Sequence, residues 1–139
     1  LSDTVPDDRL TLLASDPGDL PVLSALMQDA IVRAGDIGWD RRRRRLVLVA
    51  SRYRWEAATE VSRVRTALRL DSVLRVERQH WPADPDAMLA LLSIAADSDR
   101  VTLSFADAAS LRLHVECVDA VLEDLSAPWG VRHRPHHEM

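Results

Sequence analysis

A chain of 139 residues, 47% hydrophobic and with a formal net charge of −4, has the size of one domain and enough apolar side chains to build a core without covalent staples. No apolar run approaches the roughly 18 residues of a membrane-crossing helix, and the single cysteine, Cys117, excludes an intrachain disulfide or a cysteine metal cluster and points to a reducing compartment. Charge is unevenly spread: residues 41–78 hold twelve arginines against four acids, both flanks are acidic, and there is no lysine.

Residues 1–9 read as a flexible lead-in, and residues 10–126 as the folded domain. Leu10 to Ala14 has the look of a short strand. Asp16-Pro17-Gly18 signals a turn. Asp19 is a good N-cap, Pro21 falls where a first turn tolerates it, and Leu23, Leu26, Met27, Ala30 and Ile31 recur at helical spacing. This predicts a helix over about 20–31, unless its last turn is already a strand leading to Ile37 and Trp39. Asp40 and the following arginines form a turn between strands.

From Leu46 the period becomes two. Val47, Val49, Tyr53 and Trp55 share one face, expected to be the packed one, and Leu48, Arg52 and Arg54 share the other. Residues 56–63 connect to a long register from Val64 to Val76. There Val64, Thr66, Leu68, Leu70, Leu74 and Val76 face one way and Arg65, Arg69 and Arg75 the other, with a bend or turn at Asp71-Ser72. Residues 81–86 are a loop. Asp86 caps a short helix through Leu89 and Leu92, or a strand begins at Leu91. Val101, Leu103 and Phe105, then Leu111, Leu113, Val115 and Cys117, make the clearest hairpin in the chain. Residues 118–125 fit helix or strand equally. Residues 127–139, with Pro128 and Pro135, read as an irregular tail.

The sum is an α+β domain, mainly an antiparallel meandering sheet or a partly open barrel, pleckstrin-homology-like in one version, with one or two helices. Its core must be Leu, Val, Ala and Ile, because aromatic content is only 4%.

Function has to begin from the basic block. Arg52, Arg54, Arg65, Arg69 and Arg75, placed by strand alternation, and the run Arg41, Arg42, Arg43, Arg44 and Arg45 are the candidate binding residues. Trp55 is the expected anchor behind them. The leading expectation is a non-catalytic binding or scaffold domain that presents an arginine-rich sheet face to an acidic protein partner. Phosphate-rich ligands or nucleic acid at the same face are the alternative, held down by the negative total charge and by the lack of any recognised nucleic-acid-binding signature. An anionic membrane surface is a weaker one. The plain reading is a charged hairpin neutralised by the acidic flanks.

A small-molecule enzyme is the remaining class, and no catalytic constellation supports it. Cys117 shares a face with Leu111, Leu113 and Val115 and reads as a buried, inert thiol. The four glycines make no phosphate loop. His133, His136 and His137 crowd a tail too local for a preorganised metal site, so neither metal nor cofactor is assigned. Oligomeric state is not legible.

Three stretches resemble a known family: Leu20-Pro-Val-Leu-Ser-Ala-Leu-Met-Gln-Asp-Ala30, Arg52-Tyr-Arg-Trp-Glu56 and Leu111-Arg-Leu-His-Val-Glu-Cys-Val118 followed by Leu122-Glu-Asp-Leu125. With Arg134-Pro-His136 they resemble the DUF2948 family of small alphaproteobacterial proteins, over about Leu12 to His136. The resemblance implies a single compact domain in the bacterial cytoplasm and carries over no catalytic residue, cofactor or substrate. It draws attention to Gln28, Asp29, Arg52, Arg54 and Glu56, and suggests that Asp29 pairs with Arg52 or Arg54 to tie helix to sheet.

Overall fold

The computed structural model describes residues 9–57, 61–127 and 129–130. The expected lead-in therefore lies outside the described residues apart from Arg9, and so does the histidine cluster of the tail.

The chain begins with β1 (Thr11–Ala14), a 3-10 turn (Pro17–Asp19) and α1 (Leu20–Met27). Asp16 and Asp19 form a reciprocal capping box at this start. The helix ends earlier than its periodicity suggests. Gln28 (φ −58, ψ 130) and Asp29 (φ 62) make a type II turn closed by Ala30 N–H donating to the Met27 carbonyl at 3.0 Å. Ala30 and Ile31 then leave in extended conformation, which is the strand alternative.

Nine further strands follow: β2 (Ile31–Asp40), β3 (Arg45–Tyr53), β4 (Ser62–Leu70), β5 (Val73–Gln79), β6 (Met88–Asp97), β7 (Arg100–Phe105), β8 (Ser110–Val115), β9 (Ala120–Asp124) and β10 (Trp129–Gly130). Residue 88 thus opens a strand rather than lying in a helix, and residues 120–124 are strand. Trp129 and Gly130, in the segment expected to be irregular, pair with β4.

All pairings are antiparallel, in the order β1-β9-β4-β3-β2-β6-β7-β8-β5, and the sheet does not close. β4 runs into β5 through only Asp71 and Ser72, yet β5 pairs at the far end of the order, so the sheet must curl back on itself. β8 and β9 do the same in the opposite sense. The two crossings touch: Asp71 N–H donates to the Asp119 carbonyl at 2.8 Å and Glu116 N–H to the Ser72 carbonyl at 3.0 Å.

The order from β9 to β5 is unchanged when β2 exchanges with β6, β3 with β7, β4 with β8 and β5 with β9. Each half is a three-stranded meander, β2-β3-β4 or β6-β7-β8, edged by β9 or β5 respectively, and the two halves are related by a local twofold. β2 and β6 are both ten residues long and pair only through Ile31–Arg33 against Met88–Ala90. Equivalent hydrogen bonds flank that contact, Ala34 N–H to the Ala87 carbonyl at 2.8 Å and Leu91 N–H to the Ala30 carbonyl at 2.9 Å.

The core between the halves is built from Leu, Val, Ala and Ile with Phe105 and Met27. On β4 the alternation is as expected, with Val64, Thr66, Leu68 and Leu70 buried. It fails beyond the bend, because a bulge between Val73 and Arg75 buries Val73 and turns Leu74 outward. On β3 the two faces are the reverse of the expectation: Leu46, Leu48, Ala50, Arg52 and, just beyond the strand, Arg54 point inward, while Val47, Val49, Ser51 and Tyr53 point outward. Cys117 falls past the end of β8 and is exposed, not buried.

Candidate functional site: the outer face of the first meander

The arginines do not form one patch. Arg52 and Arg54, expected on a solvent face, are 0% and 8% exposed. Arg52 Nε and Nη2 donate to the two oxygens of Asp124, at 3.0 and 2.8 Å, and its terminal nitrogens also reach Glu56, at 2.9 and 2.8 Å. Asp124 in addition accepts the Leu10 N–H at 2.8 Å, so one cluster binds β3, β9 and the start of β1. Burial works against the Arg52 charge, but the Glu56 and Asp124 hydrogen bonds outweigh it and hold its pKa above the ordinary arginine value. Burial likewise raises Glu56, and the Arg52 hydrogen bond overcomes it, leaving the carboxyl below its usual range. Arg54 Nη1 donates to Ser62 Oγ at 3.0 Å.

The carboxylates on Arg52 are Asp124 and Glu56, so the expected tie from Asp29 does not run through Arg52. The helix is held to the sheet by the Trp55 indole N–H, which donates to the Gln28 carbonyl at 3.0 Å, and by Asp29 N–H to the Leu91 carbonyl at 2.8 Å. Ser24 Oγ adds a bond from Ile94 N–H at 2.9 Å. Trp55 is thus a half-buried strut on the outer side, not an anchor in the core.

The five-arginine run divides. Arg44 pairs with Glu116, Arg45 with Asp71 at 2.7 Å, and Arg43 with Asp40 at 3.5 Å. Arg41 and Arg42, at the tip of the turn, have no acid partner among the described residues. Arg75 lies at the far end of the sheet, bound to Glu77, whose carboxyl is held below its usual range by the His114 hydrogen bond and by Arg75.

What the fold does bring together is the outer face of β1, β9, β4, β3 and β2. Because antiparallel partners share a face, the register puts Leu13, Val121, Arg69 and Val47 in one row. It puts Trp129, Arg63 and Tyr53 in another. Leu13, Leu125 and Trp129 are respectively 68%, 45% and 43% exposed, an unusual apolar content for a sheet surface. Arg69 is bonded to Asp71 at 3.0 Å, which Asp71 shares with Arg45. Arg63 lies over the Tyr53 ring at 4.1 Å. Arg65 is exposed and has no acid partner among the described residues. Beside it is a shallow depression of about 480 Å³ lined by Val47, Val49 and Leu125 and by Asp36, which is paired with Arg33 at 2.9 Å. Gly35 and Gly38 of β2 also line it; a side chain on Gly38 would meet nothing within 4 Å, whereas one on Gly35 would run into Arg33 and the Pro85 carbonyl.

The sequence pattern identified Arg65 and Arg69 but not Arg63 or the apolar residues around them. Val47 and Val49 were assigned to the core, and Leu13 and Trp129 sit in segments whose placement depends on partners far along the chain. Among the described residues no group of three or more His, Cys, Asp or Glu is placed to hold a metal ion. No described helix is long and apolar enough to cross a membrane. A family model described as a protein of unknown function, DUF2948, matches residues 10–137. No curated protein and no solved structure matches the chain.

Proposed function

The chain belongs to the DUF2948 family, and we propose that this member is a non-catalytic docking domain that receives an acidic protein segment on the outer face of β1, β9, β4, β3 and β2. The observation that carries the reading is Arg65. It stands exposed, without an acid partner among the described residues, at the edge of a largely apolar depression whose one acid, Asp36, is already bound to Arg33. Leu125 and Trp129, exposed nearby, supply contact area of the aromatic and aliphatic kind that interfaces favour. An acidic side chain would pair with Arg65 while its neighbours cover Val47 and Val49.

This reading narrows the arginine set. Arg52 and Arg54 contribute by holding the sheet together, since both are buried. Arg65, Arg69 and Arg63 are the surface members. Arg41 and Arg42 lie on the turn before Arg45, at the other end of β3 from Arg65.

The test is affinity capture with the wild-type chain and with Arg65→Glu/Arg69→Glu. A specific acidic protein retained by the wild type and lost from the variant is the expected result. Capture of the same proteins by both, or retention of nucleic acid in a salt-dependent manner, would count against the reading.

A further inference from the structure

The local twofold makes the two mouths of the curled sheet comparable, and they are filled differently. On one side α1 lies along the half of β6 beyond its contact with β2, burying Leu20, Leu23 and Met27. Ile94, on that half of β6, is only 3% exposed beneath it. In the other meander the segment before β6, residues 80–87, stands where α1 stands. It is bonded to β2 by Ala34 N–H to the Ala87 carbonyl and Gly35 N–H to the Pro85 carbonyl. It contains no helix, and its one large side chain, Trp81, is spent on Phe105 at a ring distance of 5.5 Å.

Ile37, the twofold equivalent of Ile94, is consequently only half-buried. It lines an open cleft of about 440 Å³ together with Trp39, Val76 and Arg78, over a floor of Leu46 and Leu111. That volume lies within the range of small-molecule sites. A cleft of this volume suits a small molecule rather than a helix.

Arg78 gives the cleft its chemistry. Its register partner is Leu111, which is buried, so strand parity turns Arg78 toward the core side of β5. At the mouth it stays exposed, 5.8 Å from the Trp81 ring, with no acid partner among the described residues. A guanidinium at the rim of an apolar floor suits an anionic head on an apolar body. We propose that the cleft between β2 and β5 binds a medium-chain fatty acid, with its carboxylate on Arg78 and its chain over Leu46 and Leu111 between Ile37, Trp39 and Val76. This site is separate from the docking face and does not depend on it.

The test is a titration of the isotopically labelled full chain with decanoate below its micellar concentration, read on the four tryptophan indole N–H signals. Binding at the cleft shifts Trp39 saturably and leaves Trp55 and Trp129 in place. Arg78→Gln, an exposed substitution that leaves the floor intact, weakens the apparent affinity about tenfold, and decanol binds wild type no better than decanoate binds that variant. Three results would each overturn the assignment: no saturable shift of Trp39, equal decanoate affinity in wild type and Arg78→Gln, or parallel unsaturated drift of all four indoles.

Discussion

Arg52 and Asp124, 72 positions apart in the chain, form a two-point ion pair in which neither side chain is exposed. The pair reaches from β3 across β4 to β9, and Glu56 and the Leu10 N–H complete its hydrogen bonding. An arginine in this position welds strands together and cannot also receive a partner.

Breaking that pair should be costly because it strands a buried charge. Arg52→Met is expected to destabilise by about 3–5 kcal/mol, measured by denaturant unfolding. Adding Asp124→Leu to Arg52→Met should recover part of the loss, since the orphaned carboxylate is gone. A double variant as unstable as the sum of the singles would show that the two residues act independently.

Glu56 carries a pH dependence whose sign follows from its lowered pKa. In the unfolded chain it protonates near its ordinary 4.5, whereas in the folded protein it stays ionised to lower pH. Its contribution is therefore present above about 4.5 and lost as pH falls through the folded value. Glu56→Gln should lower the melting temperature at neutral pH, with the gap from wild type closing below 4.5. Because Glu56 is partly exposed, the neutral-pH difference should be about 1 kcal/mol. A gap that stays constant across the acid range would contradict the assignment.

Trp55→Phe removes the indole donor to Gln28 while keeping an aromatic ring. Net stability should fall by no more than about 1 kcal/mol. Hydrogen exchange should accelerate locally, at the Asp29 and Ala30 amides of the turn that closes α1, and not in β7 or β8.

Arg65→Glu should melt within about two degrees of wild type, because its side chain is exposed and pairs with no acid among the described residues. The contrast with Arg52→Met separates a recognition arginine from a structural one in a single thermal assay. A strong loss of stability in the surface variant would remove the basis for reading Arg65 as part of a docking face.

Cys117 should react with a thiol reagent in the native state, since it is exposed beyond β8. Reaction only after unfolding would restore the buried reading.

The sequence by itself determined the class of the fold, the hairpin of β7 and β8, the turn of arginines before β3 and the two-faced character of β4. Each rests on local information: strict alternation, turn residues, or a run of one charge. Arg65 and Arg69 were legible for the same reason, as polar positions between buried Val64, Thr66, Leu68 and Leu70. β3 was not. Residues 46–50 are all apolar, so period two carries no parity there, and alternation that sets Trp55 with Val47 and Val49 on the packed face puts the arginines at 52 and 54 outward. Only the tertiary structure brings Asp124 and Glu56 to Arg52, and with its charge paired and its donors bonded the buried face becomes the opposite one. The same holds for both candidate sites. The depression beside Arg65 and the cleft below Arg78 depend on which strands become neighbours, and strand order is decided by core packing between residues far apart in the chain.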